Sequence, residues 1–305
     1  MVLNKERLYI KKNYTVALFI FMRTRKVPEC NYQSVFTRMG MTLRYKLDDD
    51  LPFKPLKNPD LLDVSLGTKC FGNCVKYCYT AATSKGINYP NVVEKMVRFF
   101  EPLNEHRPYQ VAYGGGGEPT LHPEFCEVLK KTKELDIMPN YTTNGMHLSD
   151  KVLEYTAEYA GGVAVSTHKH LQWEKAVEKL LAKKIRTNIH VIVGEEGSFD
   201  YLSECSTKFP ELETIVILPY QAQGFGLKIN NEILVDEWTK CAKFVLQNQG
   251  FKYAFGALFY DFILKNPFLF KDVEIYEPEY FSGYLMLDNN PFIRISSYNL
   301  NPKTI

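Results

Sequence analysis

Six short apolar runs, at residues 61–66, 110–113, 138–142, 162–166, 187–193 and 214–219, alternate with amphipathic helix patterns. That alternation constrains the fold more than any other feature. Consecutive βα units lie in a parallel sheet with right-handed crossovers, and the nearly continuous apolar runs are those of buried parallel strands. Between them, Asn91 to Glu94 has capping-box spacing ahead of Val92, Val93, Met96, Val97 and Phe100. Pro123 suits a first helical position before Phe125, Val128, Leu129 and Thr132. Trp173, Ala176, Val177, Leu180 and Leu181 form the cleanest stripe, and further helices are expected near 149–159, 198–209 and 231–249. No repeat of solenoid period is present. The expected architecture is α/β: a partial (β/α)6 TIM-like barrel of parallel strands. A basic N-terminal extension (1–50) precedes the 60–250 core, and an aromatic-rich C-terminal cap (251–305) continues it.

With 45% apolar and 24% charged residues, composition excludes a disordered or fibrous chain. The longest apolar run, Thr15 to Met22, is too short to span a bilayer, so no membrane partner is expected. Charge is uneven. Residues 1–46 carry ten Lys/Arg against Glu6 and Glu29, leaving the leader at +8 and the remainder at −6 within a net +2. Arg23, Arg25 and Lys26 stand where a signal peptide would place its cleavage site, which weakens the secretory reading. A basic arm for an acidic partner has no motif behind it. The favoured reading is a variable extension, from which a chain begun at Met41 would lose no site residue.

Chemistry in parallel α/β folds sits where strands end. The first run ends at Cys70, Cys74 and Cys78, three of the seven cysteines, within nine residues. Such a triad in a chain of this size suggests a metal site in a reducing, cytoplasmic setting rather than a disulfide scaffold. Three thiolates on one loop can hold three corners of an iron–sulfur cube, leaving one open. A zinc site is the alternative, but structural zinc takes four protein ligands and no fourth is evident. Cys30, Cys126, Cys205 and Cys241 lack ligand spacing and read as small apolar residues. The second run ends in Gly114-Gly115-Gly116-Gly117-Glu118-Pro119. These glycines permit close backbone approach to a ligand, while a Walker-type Lys-Ser/Thr is missing and Glu118 would repel phosphate.

Together these two strand ends resemble the radical S-adenosylmethionine (SAM) superfamily, over roughly residues 60–260. Its signature is C-x3-C-x2-C with an aromatic residue before the last Cys. Cys70, Cys74 and the Tyr77–Cys78 pair match, but the second gap holds three residues. The resemblance implies a [4Fe–4S] cluster on Cys70, Cys74 and Cys78, with SAM on the open iron. It implies SAM contacts from Gly115, Gly116, Gly117, Glu118 and Pro119, the Glu118 carboxylate orienting the ammonium group. Asn144 in Thr143-Asn144-Gly145, Ser166, Asn188 and Leu218 are further cofactor contacts on the same grounds, each with a structural alternative. His190 shares a strand face with Asn188, and His168 and His170 read as a solvated loop. The aromatic tail (Tyr253, Phe255, Phe259, Tyr260, Phe262, Phe268, Phe270, Tyr276, Tyr280, Phe281, Tyr284) is expected to add a strand and close the barrel.

The implied activity is reductive cleavage of SAM to a 5′-deoxyadenosyl radical that abstracts hydrogen from a substrate. An external donor of flavodoxin or ferredoxin type would supply the electron. A degenerate scaffold protein that keeps the fold without cleavage is the alternative. A peptide, a nucleoside and a small metabolite stay open as substrate; the −6 core disfavours nucleic acid.

Overall fold

The computed structural model describes residues 21–37, 40, 42–51, 54, 59–74, 78–212, 214–221, 223–226, 231–248, 253–256, 259–269, 282–289, 291 and 293–294. Tyr77, Phe270, Tyr276, Tyr280 and Phe281 lie outside the described residues, as does the leader before residue 21.

The core consists of the six expected βα units. Strands β4 (Leu61–Ser65), β5 (Gln110–Tyr113), β6 (Met138–Thr143), β7 (Gly162–Thr167), β8 (Thr187–Val193) and β9 (Thr214–Pro219) lie side by side in chain order, each pair parallel. The crossovers carry α1 (Val92–Phe100), α2 (Phe125–Glu134), α3 (Asp150–Tyr159), α4 (Trp173–Ala182) and α5 (Ser198–Lys208), and α6 (Asn231–Gln247) follows β9. Burial alternates strictly along β5 to β9. One face packs Val111, Tyr113, Val163, Val165, Ile189, Val191, Ile215 and Ile217 against the helices. The helices answer with Met96, Phe100, Val128, Leu129, Val177 and Leu180. Each such side chain contributes roughly 1.5–3 kcal/mol when fully buried. The other face lines an open, half-barrel lumen with smaller and more polar residues: Gln110, Ala112, Asn140, Thr142, Ala164, Ser166, Asn188 and His190.

The caps differ from their sequence signals. Asn91 adopts a left-handed conformation and makes no side-chain cap. The carboxylate of Glu124, just ahead of α2, accepts from Val93 N (3.1 Å) instead. Helix α2 starts at Phe125, two residues beyond Pro123, and His122 Nδ1 accepts from Glu124 N at 3.1 Å.

The tail extends the sheet at both edges instead of closing it. Strand β10 (Tyr253–Phe255) adds parallel to β9, and α7 (Tyr260–Lys265) follows it. Strand β11 (Ser282–Met286) adds parallel to β4 on the opposite edge, with β12 (Ile293–Arg294) antiparallel beyond it. The order is β10-β9-β8-β7-β6-β5-β4-β11-β12, and β10 and β12 do not pair with each other. Phe255, Phe259, Phe262 and Trp238 pack edge to face or tilted behind β9.

The second half of the leader is not a loose extension. Strands β1 (Phe21–Val27), β2 (Tyr32–Thr37) and β3 (Thr42–Lys46) form an antiparallel sheet of their own. Its cationic side chains reach carbonyls and acids of the core. Arg23 donates to the carbonyls of Asp136 (2.8 Å) and Arg107 (3.2 Å), and Arg25 donates to that of Arg107. Arg25 also faces the buried Asp60 at 3.3 Å, and the Tyr32 hydroxyl donates to the same carboxylate. Phe36 stacks on Tyr109 with ring centroids 5.2 Å apart, and Ser34 shares a hydrogen bond with the Tyr109 hydroxyl (2.8 Å). Arg23 and Arg25, two of the ten cationic residues of the leader, therefore serve docking to the strand-start end of the barrel, where the Gly40 carbonyl accepts from Gln110 Nε2 at 3.4 Å.

Candidate functional site: a cysteine loop under three strand ends

At the opposite end, the loop after β4 folds back on itself. Its backbone is pinned by Thr68 N to Ile87 O (2.7 Å), Cys70 N to Thr83 O (2.9 Å) and Cys78 N to Cys74 O (3.0 Å). The Cys70 and Cys74 thiols emerge from this frame beside one another, and Cys78 is near enough to act electrostatically on both. A Cβ at Gly72 would stand 3.3 Å from both Cys70 Sγ and Cys74 Sγ, so the two sulfurs flank one small hollow. Each sulfur has its own polar neighbours. Cys70 Sγ accepts from Gly72 N (3.3 Å) and Asn144 Nδ2 (3.5 Å). Cys78 Sγ accepts from Ala82 N (3.4 Å) and lies 3.2 Å from Thr80 Oγ1. Cys74 Sγ lies 3.7 Å from His170 Nε2, which is also 2.8 Å from the Gly72 carbonyl. Burial pushes the Cys70 thiol up and the Cys74 thiol up to about 12, and the neighbouring cysteines add to the effect on both. Loading a metal would therefore displace protons from these thiols. Among the described residues no three His, Cys, Asp or Glu side chains gather around a single metal-ion point. The donor set suits a polynuclear group: soft thiols on separate arms of one loop, with N–H groups directed at two of the sulfurs.

The Gly-rich loop after β5 lies directly against this frame. Gly117 N donates to Gly67 O (2.6 Å) and Glu118 N to Lys69 O (2.8 Å). A Cβ at Gly116 would sit 2.0 Å from Ser65 Oγ and 2.5 Å from Gly67 O, and one at Gly117 only 2.3 Å from Lys69 O. The close approach that these two glycines permit is thus to the cysteine loop itself. Gly115, at φ +69°, is covered by Tyr284 of β11, whose hydroxyl donates to the Gly115 carbonyl at 2.9 Å.

Glu118 points inward. Its Oε1 accepts from the hydroxyls of Thr120 and Thr143, both at 2.7 Å, and Oε2 accepts from Asn144 N at 2.7 Å. Burial pushes this carboxyl up, and the four hydrogen bonds it accepts pull back toward the ionised form. Pro119 is buried in the short helical turn that follows. The carboxylate thereby ties the end of β6 to the Gly-rich loop and sets Asn144 over Cys70. An Asx turn, in which Met146 N donates to Asn144 Oδ1 (2.9 Å), completes that corner.

Ser166 and Leu218 face the lumen one residue before the ends of β7 and β9, on the cysteine-loop side. Asn188 is not brought there. It is the second residue of β8, five residues or about 16 Å of extended chain below the strand's end. With His190, Gln110, Asn140 and Ala164 it lines a cavity of about 270 Å³ at the other end of the lumen. Burial holds His190 as a neutral base, its pKa lowered to about 4. Cys205 and Cys241 are buried among apolar residues, and Cys126 packs against the core. His170, Thr143, Thr80 and Tyr284 complete the site in roles that no local pattern in the sequence assigns to them. They meet it across intervals of 25 to 169 residues.

Comparison with known proteins places this arrangement. Streptococcus suis SuiB solved with S-adenosylmethionine superposes with a TM-score of 0.58 at 14% identity, covering 78% of this chain and 60% of SuiB. SuiB solved with the precursor peptide SuiA gives 0.59 at 16% identity with the same coverage. Native anSMEcpe, solved with AdoMet and the Cp18Cys peptide, gives 0.55 at 17% identity over 80% of this chain and 75% of that one. The chain spans 60% of the length of the SuiB chains. At these identities the likeness is one of fold. No curated protein matches the sequence. Residues 64–168, from within β4 to just past the end of β7, match the family model described as the Radical SAM superfamily.

Proposed function

We propose that this protein is a radical SAM enzyme whose Cys70, Cys74 and Cys78 hold a [4Fe–4S] cluster. The observation that carries the reading is the packing of three neighbouring thiols, supplied with donors from separate loops, against the Gly-rich loop. Once bound, the cluster and SAM would supply one-electron reductive cleavage, yielding methionine and a 5′-deoxyadenosyl radical that takes a hydrogen atom from substrate. The protein's own part is to orient and to exclude water. Gly115, Gly116, Gly117 and Pro119 shape the cofactor's bed. Glu118 acts through Thr143 and Asn144, holding the bed in place rather than meeting SAM with its carboxylate. Ser166 and Leu218 line the mouth of the lumen, where SAM would lie. Asn188 and the neutral His190 belong to the deeper cavity and would face substrate. That both SuiB and anSMEcpe are solved with peptides supports a peptide among the three substrate classes. The electron would come from an external donor of flavodoxin or ferredoxin type. No helix among the described residues is long and apolar enough to cross a membrane.

Anaerobic reconstitution followed by dithionite and SAM tests the reading. About four iron per chain are expected, lost on replacing Cys70, Cys74 or Cys78 by Ser but kept with Ala at Cys126, Cys205 or Cys241. Slow release of 5′-deoxyadenosine without substrate should accompany the cluster. A reducible cluster that binds SAM yet never yields 5′-deoxyadenosine would replace the enzyme with a scaffold that retains the fold.

A further inference from the structure

The loop after β7 begins with His168-Lys169-His170, and the chemistry assigned so far makes no use of it. His170 lies on the surface, but one edge of its ring meets the cysteine loop. Nε2 is 2.8 Å from the carbonyl oxygen of Gly72, a contact across 98 residues. A carbonyl only accepts, so Nε2 carries the proton and donates. The same nitrogen stands 3.7 Å from Cys74 Sγ. The His168 ring stacks behind it, centroids 5.6 Å apart and 17° from parallel, which fixes the plane from which His170 reaches the loop.

Gly72 is the residue between Cys70 and Cys74, and its hollow is what those two sulfurs flank. Cys70 and Cys78 each take a backbone N–H from their own loop. For Cys74, the nitrogen within reach of its sulfur belongs to His170. We propose that His170 is a positioning residue for the cysteine loop, holding the Gly72–Cys74 arm by its Nε2–H and lending part of that N–H dipole to the Cys74 sulfur. This assignment rests on the cluster reading above. Donors to a cluster's sulfurs stabilise its more negative, reduced state and raise its potential. The donor is shared with a carbonyl and exposed to water, so only a fraction of its dipole reaches the sulfur.

The test compares the full chain, reconstituted anaerobically, as wild type, His170→Ala and His170→Gln. Iron content and an EPR-monitored redox titration without SAM are read on each. His170→Ala should retain the three thiolates but move the midpoint to a more negative value. At the wild-type midpoint its reduced-to-oxidised ratio should fall about threefold, about 30 mV for one electron. Gln, whose amide N–H can reach the same carbonyl, should recover part of the shift. Loss of iron in the Ala variant with recovery in the Gln variant would support the same positioning role. An unchanged midpoint with full iron in His170→Ala would overturn the proposal, as would loss of iron in both variants. Failure of the wild type to assemble any cluster would strike the cluster reading itself, a result distinct from either.

Discussion

Replacing Arg25 with Met tests whether the N-terminal sheet belongs to the fold. The Arg25 guanidinium, 6% exposed, stands 3.3 Å from a fully buried Asp60 carboxylate. At an effective dielectric near 20 such a pair interacts by about 5 kcal/mol, and removing one partner of a buried pair typically costs about 3–5 kcal/mol. Burial pushes the Asp60 carboxyl up from 3.8 to about 7, with Arg25 and Arg23 pulling the other way. The folded chain thus holds this proton more tightly than the unfolded chain. Its stability declines as pH rises from about 4 to about 7 and is flat beyond, at about 1.4 kcal/mol per unit in between. Without Arg25 the carboxyl shifts higher still, so the decline continues past pH 7. The cost of Arg25→Met should therefore be small at pH 6, where a proton neutralises Asp60, and reach about 3 kcal/mol or more near pH 9. Urea midpoints at both pH values measure the difference, and adding Asp60→Asn should return most of the loss at high pH. A cost equal at both pH values, or below about 1 kcal/mol at pH 9, would mean that the pair is solvated and the sheet undocked. A chain begun at Met41, lacking β1 and β2, should be destabilised by at least as much, although the sequence places no site residue in this stretch.

Glu118→Gln keeps the shape of the bracket between the Gly-rich loop and Asn144 but removes its charge, costing roughly 1.5–3 kcal/mol. 5′-Deoxyadenosine formation should drop about ten- to a hundredfold with iron retained, measured by chromatography and iron assay. His190→Gln bears on acid stability. The folded histidine titrates at about 4 against 6.5 unfolded, so its contribution is complete above pH 6.5 and is lost as pH falls toward 4, up to about 3 kcal/mol. The Gln variant should lose less stability than wild type between pH 7 and pH 4.5 in urea titrations, and an identical loss would show that His190 is solvated.

What the sequence announces and what it conceals divide along physical lines. Strands β5, β8 and β9 fall at the residues their apolar runs mark, because parallel strands covered by helices need no partner information beyond their own burial. Strands β1 to β3 lack that signal. Their packing rests on Arg23 and Arg25 meeting carbonyls and an acid some 35 to 113 residues away, and a charged sequence reads locally as a solvated one. The site divides in the same manner. Three cysteines within nine residues single out the loop as a candidate metal site from spacing alone. The glycines at 116 and 117 and the acid at 118 are equally visible, but their roles are not. A glycine needed for close approach does not say what approaches, and here the neighbours are Ser65, Gly67 and Lys69. A carboxylate beside a ligand loop does not say which way it faces, and this one turns to Thr120, Thr143 and Asn144. The consequence is mechanical. Glu118 couples the Gly-rich loop to Asn144, and Asn144 reaches Cys70, so a change at the acid is passed to the cysteine loop through two hydrogen bonds.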